Sequence, residues 1–387
     1  MRSTGVADLP LHWGHVPPWL ARIMRRLSKA ILEVAIMELG SEGLLRRLSN
    51  PLWFQAFNNA IGMDWDSSGS TTVTTAMIKE ALNEIEGGVR VAGGKGLASR
   101  KTPEEIMRYG DELGLPSKTV ETLIRTSKLA AKADNTLLQD GYTLYHHAII
   151  FDEHGRWVVI QQGMNIESRY ARRYHAAWFK PVESVTVEPH SGVASVDVLT
   201  PLNLLKRESV RTRKVVVDLL NEKPERVARD IMTINNVIKG QRTLVNYTKP
   251  PRTIDRALPY YKPVKLSRRL LNTLRKVYEV KPAGFEEAIL VSGVGPEVIR
   301  ALSLVSELIY REPPPLQDED VVPYSPFKYA FTIGGKDGVP YPVKREVAES
   351  VIRELQRLVE EAKVGRKERL LAFKALRRLA PRDFSRF

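Results

Sequence analysis

The apolar residues of the chain recur with two different spacings, one typical of helices and one typical of strands. Up to about residue 130, apolar side chains recur every three or four positions, as on the buried face of a helix. The segment Thr102-Pro103-Glu104-Glu105 adds a helix start, with Thr102 as the N-cap and Pro103 in the first turn. The pattern predicts helices over Trp19–Leu39, Ser41–Leu48, Thr71–Glu86, Thr102–Leu113 and Ser117–Ala133.

From Gly141 onward, apolar and polar residues alternate in steps of two, as in a β-strand. Tyr142–Phe151 and Arg156–Gln162 lie on either side of a turn at Asp152-Glu153-His154-Gly155, so they predict a β-hairpin. Two further short strands are expected at Val182–Val187 and Val193–Leu199. The helical period returns in Leu202–Leu220, Arg226–Val237, Leu266–Lys281, Phe285–Tyr310 and Lys344–Leu379.

These elements predict an α+β fold. We expect a mostly helical chain with a small antiparallel sheet in the middle and a helix-hairpin-helix-like region near the C-terminus. The 387 residues are enough for two or three domains of about 150 residues. The finer division that we predict is a helical N-terminal domain (1–135), a small β-containing domain (136–205), a basic helical or extended connector (206–281) and a helical C-terminal domain (282–387).

Composition restricts the chemistry. The chain has no cysteine, which excludes disulfides, thiolate metal sites and cysteine nucleophiles. No apolar run is long enough to cross a bilayer and no signal peptide is recognisable, so we expect a cytoplasmic protein without membrane contact. The abundant charge and the missing cysteine together favour a thermophilic source.

The net charge of +14 is concentrated in one stretch. Lys206–Glu279 carries 19 Lys or Arg against 7 Asp or Glu, and a positive field of that size attracts polyanions such as nucleic acid. Prolines and tyrosines alternate with cations in Gln241–Ser267, which favours an extended, exposed segment whose rings stack on unpaired bases. The predicted contacts are Tyr247, Arg252, Tyr260 and Tyr261.

Residues 284–296 resemble a helix-hairpin-helix motif, a widespread DNA-binding element without sequence specificity. Gly293 and Gly295 permit a tight turn and Pro296 begins the next helix, so we expect backbone N–H groups at the two glycines to bind a phosphate. DNA glycosylases with this motif carry a catalytic Lys just after the hairpin. Glu297 stands at that position here, which disfavours a glycosylase.

Three glycine-rich stretches have an anion-binding character: Ser67–Thr72, Gly93–Gly96 and Gly334–Gly338. None has the spacing of a Walker phosphate loop, so nucleotide hydrolysis has no specific support. Gly93–Gly96 is the best of the three because cations lie in it and follow it at a helix start. We therefore predict that Lys95, Arg100 and Lys101 contact nucleic acid.

The densest polar run lies in residues 145–190 and holds five of the seven histidines. Pairing across the hairpin places a His beside a Gln of the facing strand. Arginine would hold a phosphate there, and His would transfer protons near neutral pH. A solvated hairpin beside a basic helix is the alternative. The predicted reaction-centre residues are His146, His147, Gln161, Gln162, Arg173 and His175.

A metal-dependent nuclease would need carboxylates around a divalent ion. Asp140 and Asp152 flank the first strand of the hairpin and are the candidate ligands for Mg²⁺ or Mn²⁺. The common nuclease signature, with an acid-x-Lys segment on the next strand, is not met, because Gln161-Gln162-Gly163 stands in its place. No organic cofactor is implied.

Four blocks in order resemble an archaeal and bacterial family catalogued as domain of unknown function 763. The resemblance covers most of the chain, so it implies one integrated unit, and it implies no particular activity. The blocks are Gly93-Gly94-Lys95-Gly96 with Ser99-Arg100-Lys101-Thr102-Pro103, Gln161-Gln162-Gly163-Met164-Asn165, Ala171-Arg172-Arg173-Tyr174-His175, and Gly334-Gly335-Lys336-Asp337-Gly338-Val339-Pro340-Tyr341-Pro342.

The basic stretch, the hairpin motif and the His/Arg run together predict a DNA-binding protein that cleaves phosphodiester bonds. We expect a nuclease of DNA processing or repair, with DNA favoured over RNA as the partner. A non-catalytic nucleic-acid-binding protein and a base-excision glycosylase are the alternatives. The sequence carries no signal for an oligomeric state.

Overall fold

A five-stranded antiparallel sheet forms the centre of the molecule. The computed structural model describes residues 16–63, 68–181, 183–195, 199–241, 254–319 and 345–377. The strands are β1 (Val89–Lys95), β2 (Leu138–Gln139), β3 (Thr143–Asp152), β4 (Trp157–Asn165), β5 (Tyr170–Ala177), β6 (His190–Ala194) and β7 (Leu202–Asn203). The central sheet has the order β1-β3-β4-β5-β6, and β2 pairs with β7 in a separate two-stranded sheet.

Helices cover both faces of the central sheet. They are α1 (Pro18–Leu48), α2 (Pro51–Ala60), α3 (Gly69–Glu84), α4 (Leu97–Arg100), α5 (Thr102–Glu112), α6 (Ser117–Lys132), α7 (Val210–Leu220), α8 (Pro224–Ile238), α9 (Arg268–Val280), α10 (Phe285–Leu290), α11 (Pro296–Leu308), α12 (Arg345–Glu361) and α13 (Arg366–Arg377). The core on one face contains α1, α2, α3, α12 and α13, and the core on the other face contains α5 to α11. The sheet is therefore the middle layer of three.

The alternation of side chains along β3 explains how one strand serves two cores. Ala148 and Ile150 pack against the α1–α3 layer, whereas Ile149 and Phe151 pack against the α6 layer. A strand covered on both faces has no solvated side, so its polar residues have to find partners inside the protein.

The junction between α1 and α2 is determined locally. The Asn50 side chain accepts a hydrogen bond from the Leu52 N–H at 2.8 Å, and Pro51 occupies the first turn of α2. This start places the first turn of α2 against β5, where the Pro51 carbonyl accepts a hydrogen bond from Arg173.

The α+β class with a small antiparallel sheet is confirmed, and so is the hairpin, since β3 and β4 pair along Thr143–Asp152 and Trp157–Asn165. Two local predictions are wrong, and one strand was not predicted. Residues 183–188 form turns and bends rather than a strand, residues 202–206 are not helical, and β1 lies inside a region predicted to be mostly helical. The division into four domains stays a prediction.

The basic run 170–177, which the alternative interpretation placed in a helix beside the hairpin, is the strand β5. Its Arg and His residues conceal the pattern because they are buried, whereas sequence patterns assume that charged residues face solvent. Among the described residues, no helix is long and apolar enough to span a bilayer.

Candidate active site

Adjacent polar residues of the hairpin lie on opposite faces of the central sheet. Side chains alternate along a strand and directly paired residues share a face, so the register sorts them into two rows. The α6-side row is His147, Gln161 and Tyr174, and the α3-side row is His146, Gln162 and Arg173. The sheet thus separates the predicted reaction-centre residues into two groups.

A pocket of about 310 Å³ opens at the end of β1. The pairing of β1 with β3 ends at Lys95 opposite His146, and the chain turns into α4. The pocket is formed between β3, the α4–α5 segment and α6. Its lining includes Ser99, Arg100, Thr102, Ser127, Lys128 and His147.

His147 joins the pocket to the interior of the sheet. Its Nε2 lies 2.7 Å from the Ser127 hydroxyl, and its Nδ1 lies 2.8 Å from Gln161 Oε1. The Gln161 amide nitrogen donates to the Ala130 carbonyl at 3.0 Å and to the Asp134 carboxylate, so Oε1 has to face the ring. His147 Nδ1 therefore carries the proton, and Nε2 accepts the proton of the Ser127 hydroxyl.

This tautomer is the one that a general base beside a serine requires. Burial lowers the pKa of His147, while its hydrogen bond to Gln161 acts in the opposite direction. The ring is therefore neutral near pH 7 and available as a base. The Ser127 hydroxyl is its hydrogen-bond donor.

A buried ionic cluster of Asp134, His190 and Glu319 fixes the position of Gln161. Asp134 Oδ1 lies 2.6 Å from His190 Nε2, and the opposite ring nitrogen of His190 lies 3.2 Å from Glu319. Burial opposes the protonation of His190, but the two carboxylates outweigh it and raise its pKa to about 10. His190 is thus an imidazolium that holds Asp134 in place, and Asp134 in turn fixes the amide of Gln161.

Cations surround the pocket. Arg100 and Lys128 line it, and Lys95 and Lys101 are exposed next to it along the chain. None of these four side chains forms an ion pair with a carboxylate in the part of the chain that the structure describes, and no Asp or Glu lines the pocket. An electropositive pocket of this kind favours an anionic ligand.

The glycines at the end of β1 permit close approach to His147. Gly93 has φ +96, and a Cβ there would lie 2.3 Å from the His147 carbonyl oxygen. Glu105 accepts a hydrogen bond from the Gly93 N–H at 2.7 Å and forms an ion pair with Lys79. The Gly93–Gly96 block therefore packs closely against the strand that carries His147, and Arg100, which follows the block, is the cation from this segment that lines the pocket.

The α3-side row lies in a second polar cluster. Gln162 donates to the Ser68 carbonyl at 2.8 Å, and His175 Nδ1 donates to the Leu48 carbonyl at 3.0 Å. Arg173 donates to Gln55 at 3.1 Å, and both nitrogens of His146 have no hydrogen-bond partner among the described residues. None of these residues is hydrogen-bonded to Ser127, and of the three residues of the α3-side row only His146 also lines the pocket.

The two predicted metal ligands do not share a site, because they flank opposite ends of β3. Asp140 accepts from the Tyr174 hydroxyl at 2.6 Å, whereas Asp152 pairs with Arg156 at 2.7 Å and closes the hairpin turn. Within the described ranges, no group of three or more His, Asp or Glu side chains is arranged to hold a metal ion.

The residues predicted to contact nucleic acid lie in different environments. Gly293 is exposed between α10 and α11 and has φ +102, as a tight turn requires. Tyr260 and Tyr261 are only 3% and 2% exposed, and Tyr261 donates to Glu307 at 2.9 Å, so their predicted exposure is wrong. Both tyrosine rings pack in the hydrophobic core, so they are not exposed for stacking on bases. Gly295 follows Gly293 as the N-cap of α11, and Tyr247 and Arg252 lie outside the described residues.

Sequence reasoning missed Ser127, Lys128 and Asp134. Ser127 and Asp134 are seven residues apart, which is close to two helical turns, so they face the same side of α6 and its extension. That spacing was the only local signal, and it becomes informative only when the facing strand is known to carry His147 and Gln161.

A family model described as "Protein of unknown function (DUF763)" matches residues 5–343. The chain belongs to this family. The matched range includes the pocket, both polar rows and the hairpin between α10 and α11, so these features lie within the family's common region. Neither a curated protein nor a solved structure gives a significant match to the chain.

Proposed function

We propose that the protein binds nucleic acid and hydrolyses phosphodiester bonds in the pocket beside His147. The observation that carries the proposal is the contact of His147 Nε2 with the Ser127 hydroxyl, in the tautomer that accepts its proton. A Ser–His contact alone is common in proteins. Here it lies in the wall of a pocket with unpaired cations, which is the setting that phosphoryl chemistry needs.

In this mechanism Arg100 and Lys128 hold the phosphate oxygens. The Ser127 oxygen attacks phosphorus while its proton passes to His147 Nε2, and the bond from phosphorus to one nucleoside oxygen breaks. His147 returns the proton to that leaving oxygen, which departs as an alcohol. Water then attacks the phosphoseryl intermediate with His147 as base, and Ser127 regains its proton.

The hairpin between α10 and α11 supports nucleic acid as the substrate. The Lys132 ammonium donates to the Val294 carbonyl, and Arg125 pairs with Glu286 at 2.8 Å, so the hairpin lies against α6. Ser127 and Lys128 of the same helix line the pocket. A backbone held at Gly293 would therefore continue along α6 toward the reacting groups.

DNA is favoured over RNA because the α10–α11 hairpin resembles a DNA-binding element. We expect the activity to serve DNA processing or repair in the cytoplasm. A glycosylase is less favoured, since Glu297 stands at the position where such enzymes carry a lysine.

The test is incubation of the full chain with end-labelled single- and double-stranded DNA and RNA, with Mg²⁺, with Mn²⁺ or with EDTA. We expect cleavage of undamaged DNA that persists in EDTA. Cleavage that needs a metal ion would overturn the assignment to Ser127 and His147 and point to a metal centre. A substrate that is bound but never cut would establish a non-catalytic nucleic-acid-binding protein.

Two variants and one control test the site. Ser127→Ala and His147→Ala should each lower turnover about 10³-fold or more with little change in affinity. His154→Ala is the matched control, because this histidine lies on the same hairpin with its side chain 64% exposed. Equal turnover in Ser127→Ala, His147→Ala and the control His154→Ala would exclude the proposed chemistry.

A further inference from the structure

We propose a second anion-binding site, for a phosphate group, between Arg173 and the N-terminus of α3, on the face of the sheet opposite the pocket. It is independent of the hydrolysis proposed above, since its residues do not contact Ser127 or His147.

The first observation is a buried cation without an anion. Arg173 is only 1% exposed, and its partners are neutral: Gln55 Oε1 at 3.1 Å, the Pro51 carbonyl at 3.4 Å and the Thr71 hydroxyl at 3.5 Å. Its Nε has no partner, and no described carboxylate pairs with it. A buried guanidinium in such surroundings is strongly destabilising unless a negative charge joins it.

The neighbouring arginine shows what a compensated site looks like in the same strand. Arg172 is equally buried but donates twice to Asp318, at 2.6 and 3.1 Å, and lies 3.4 Å from Asp140. The two side chains point to opposite faces, so the lack of compensation is specific to the α3 side.

The second observation is the helix end that faces Arg173. The first turn of α3 contains no acidic residue, and Ser68 caps it with no side-chain hydrogen bond. The N-terminus of this 16-residue helix therefore adds partial positive charge next to a guanidinium, and no side chain of the described residues caps its first N–H groups. Two positive features that face each other are stable together when an anion lies between them.

The third observation is a buried hydroxyl without a partner at the same helix end. Ser70, next to Thr71 in the first turn of α3, is fully buried and its hydroxyl has no partner in the described chain. Together with Arg173 Nε it offers donors of two kinds, a hydroxyl and a guanidinium N–H, and the oxygens of a tetrahedral phosphate accept both.

The measurement is the thermal stability of the full chain in inorganic phosphate, against chloride at the same ionic strength. Binding to the folded state should raise the Tm by about 5 °C at saturating phosphate. Phosphate will also enter the pocket, so the same titration is made on Arg100→Ala/Lys128→Ala. The response should persist in that double variant, which distinguishes this site from the proposed hydrolytic one.

Arg173→Met should lose the phosphate response while its Tm in chloride stays at or above that of the wild type, because an uncompensated buried charge has been removed. Ser70→Ala should weaken the response. Ser303→Ala is its matched control, since Ser303 is also fully buried with an unpartnered hydroxyl but lies in α11. An equal phosphate response in the wild type and Arg173→Met would overturn the proposal.

The same assay distinguishes a nucleotide from inorganic phosphate as the ligand. It also tests whether a bound anion or a carboxylate of the chain itself neutralises Arg173. A nucleoside monophosphate that acts at lower concentration than inorganic phosphate would identify a nucleotide as the ligand. Asp64 and Asp66 precede α3 and lie outside the described residues. A flat phosphate response, with a large loss of stability in Asp64→Asn/Asp66→Asn, would show that the chain itself neutralises Arg173 and would exclude the site.

Discussion

At the scale of single residues, the candidate active site depends on a neutral side chain. The amide nitrogen of Gln161 donates to two acceptors, so the amide oxygen faces His147. Because that oxygen can only accept, the His147 ring carries its proton on Nδ1. Serine hydrolases usually place a carboxylate at this position. Here Gln161 occupies that position, and the Asp134 carboxylate orients the His147 ring indirectly, by accepting a hydrogen bond from the Gln161 amide.

The close packing around Gly93 gives a prediction at this scale. Gly93→Ala adds a Cβ at a positive φ and only 2.3 Å from the His147 carbonyl, so we expect a loss of about 2–4 kcal/mol in the free energy of unfolding. Gly96→Ala is the control, because its φ is +59 but no atom lies within 4 Å of the added Cβ, and we expect about 1 kcal/mol. Urea denaturation of both variants measures the difference, and equal losses would contradict the close approach.

The pKa of His190 gives a pH dependence. Since Asp134 and Glu319 raise this pKa to about 10 from an unfolded value near 6.5, the protonated ring stabilises the fold. This contribution is fully present below about pH 6.5, decreases above it and is lost as the pH rises through about 10. Urea midpoints of the wild type and His190→Gln should differ most at low pH and converge above pH 10. A constant difference would show that the ring is not protonated, and His154→Gln should show no difference.

At the scale of elements, β5 shows why pattern reading failed on this chain. Its Arg and His residues look like one face of a basic helix, yet they are the buried centre of the sheet. The hairpin of β3 and β4 was predictable because its apolar residues alternate around a turn with Asp and Gly. β1 was not, because its seven residues include Gly93 and Gly94 and only the edge of β3 specifies it.

The hairpin between α10 and α11 gives a prediction about binding. Ser292 is exposed at this turn, and Ser292→Glu places a negative charge where we expect a phosphate. DNA affinity should fall about fivefold at low salt, and less at high salt because the repulsion is screened. Ser117→Glu, at an exposed position in the first turn of α6, is the matched control. Fluorescence anisotropy would measure both, and equal affinities would exclude the hairpin as a contact.

At the scale of the whole molecule, the sheet joins two cores, and each core combines residues that the sequence assigned to different domains. Leu358 of α12 is fully buried in the α1–α3 layer, and Leu302 of α11 is fully buried in the α6 layer. β3 contributes Ile150 to the first core and Ile149 to the second, so neither core is complete without the sheet. The integrated unit implied by the family blocks fits this arrangement.

This sharing predicts a single cooperative unfolding transition. Leu358→Ala and Leu302→Ala should each cost about 2–5 kcal/mol, because each leaves a cavity in a packed core. If the layers unfold together, both variants lower the same calorimetric transition. Two separate transitions, each shifted by only one variant, would favour independent domains over a shared sheet.

The sequence by itself determined the β3–β4 hairpin, most helices, the positive charge and the family blocks, because these depend on residues close together in the chain. The tertiary structure alone decided which polar groups meet. His146 and His147 are adjacent in sequence but face different cores, whereas Ser127 and His147, 20 residues apart, are in hydrogen-bonding contact. The reason is geometric: strand alternation separates neighbours, and only packing of α6 on the sheet brings Ser127 to the ring.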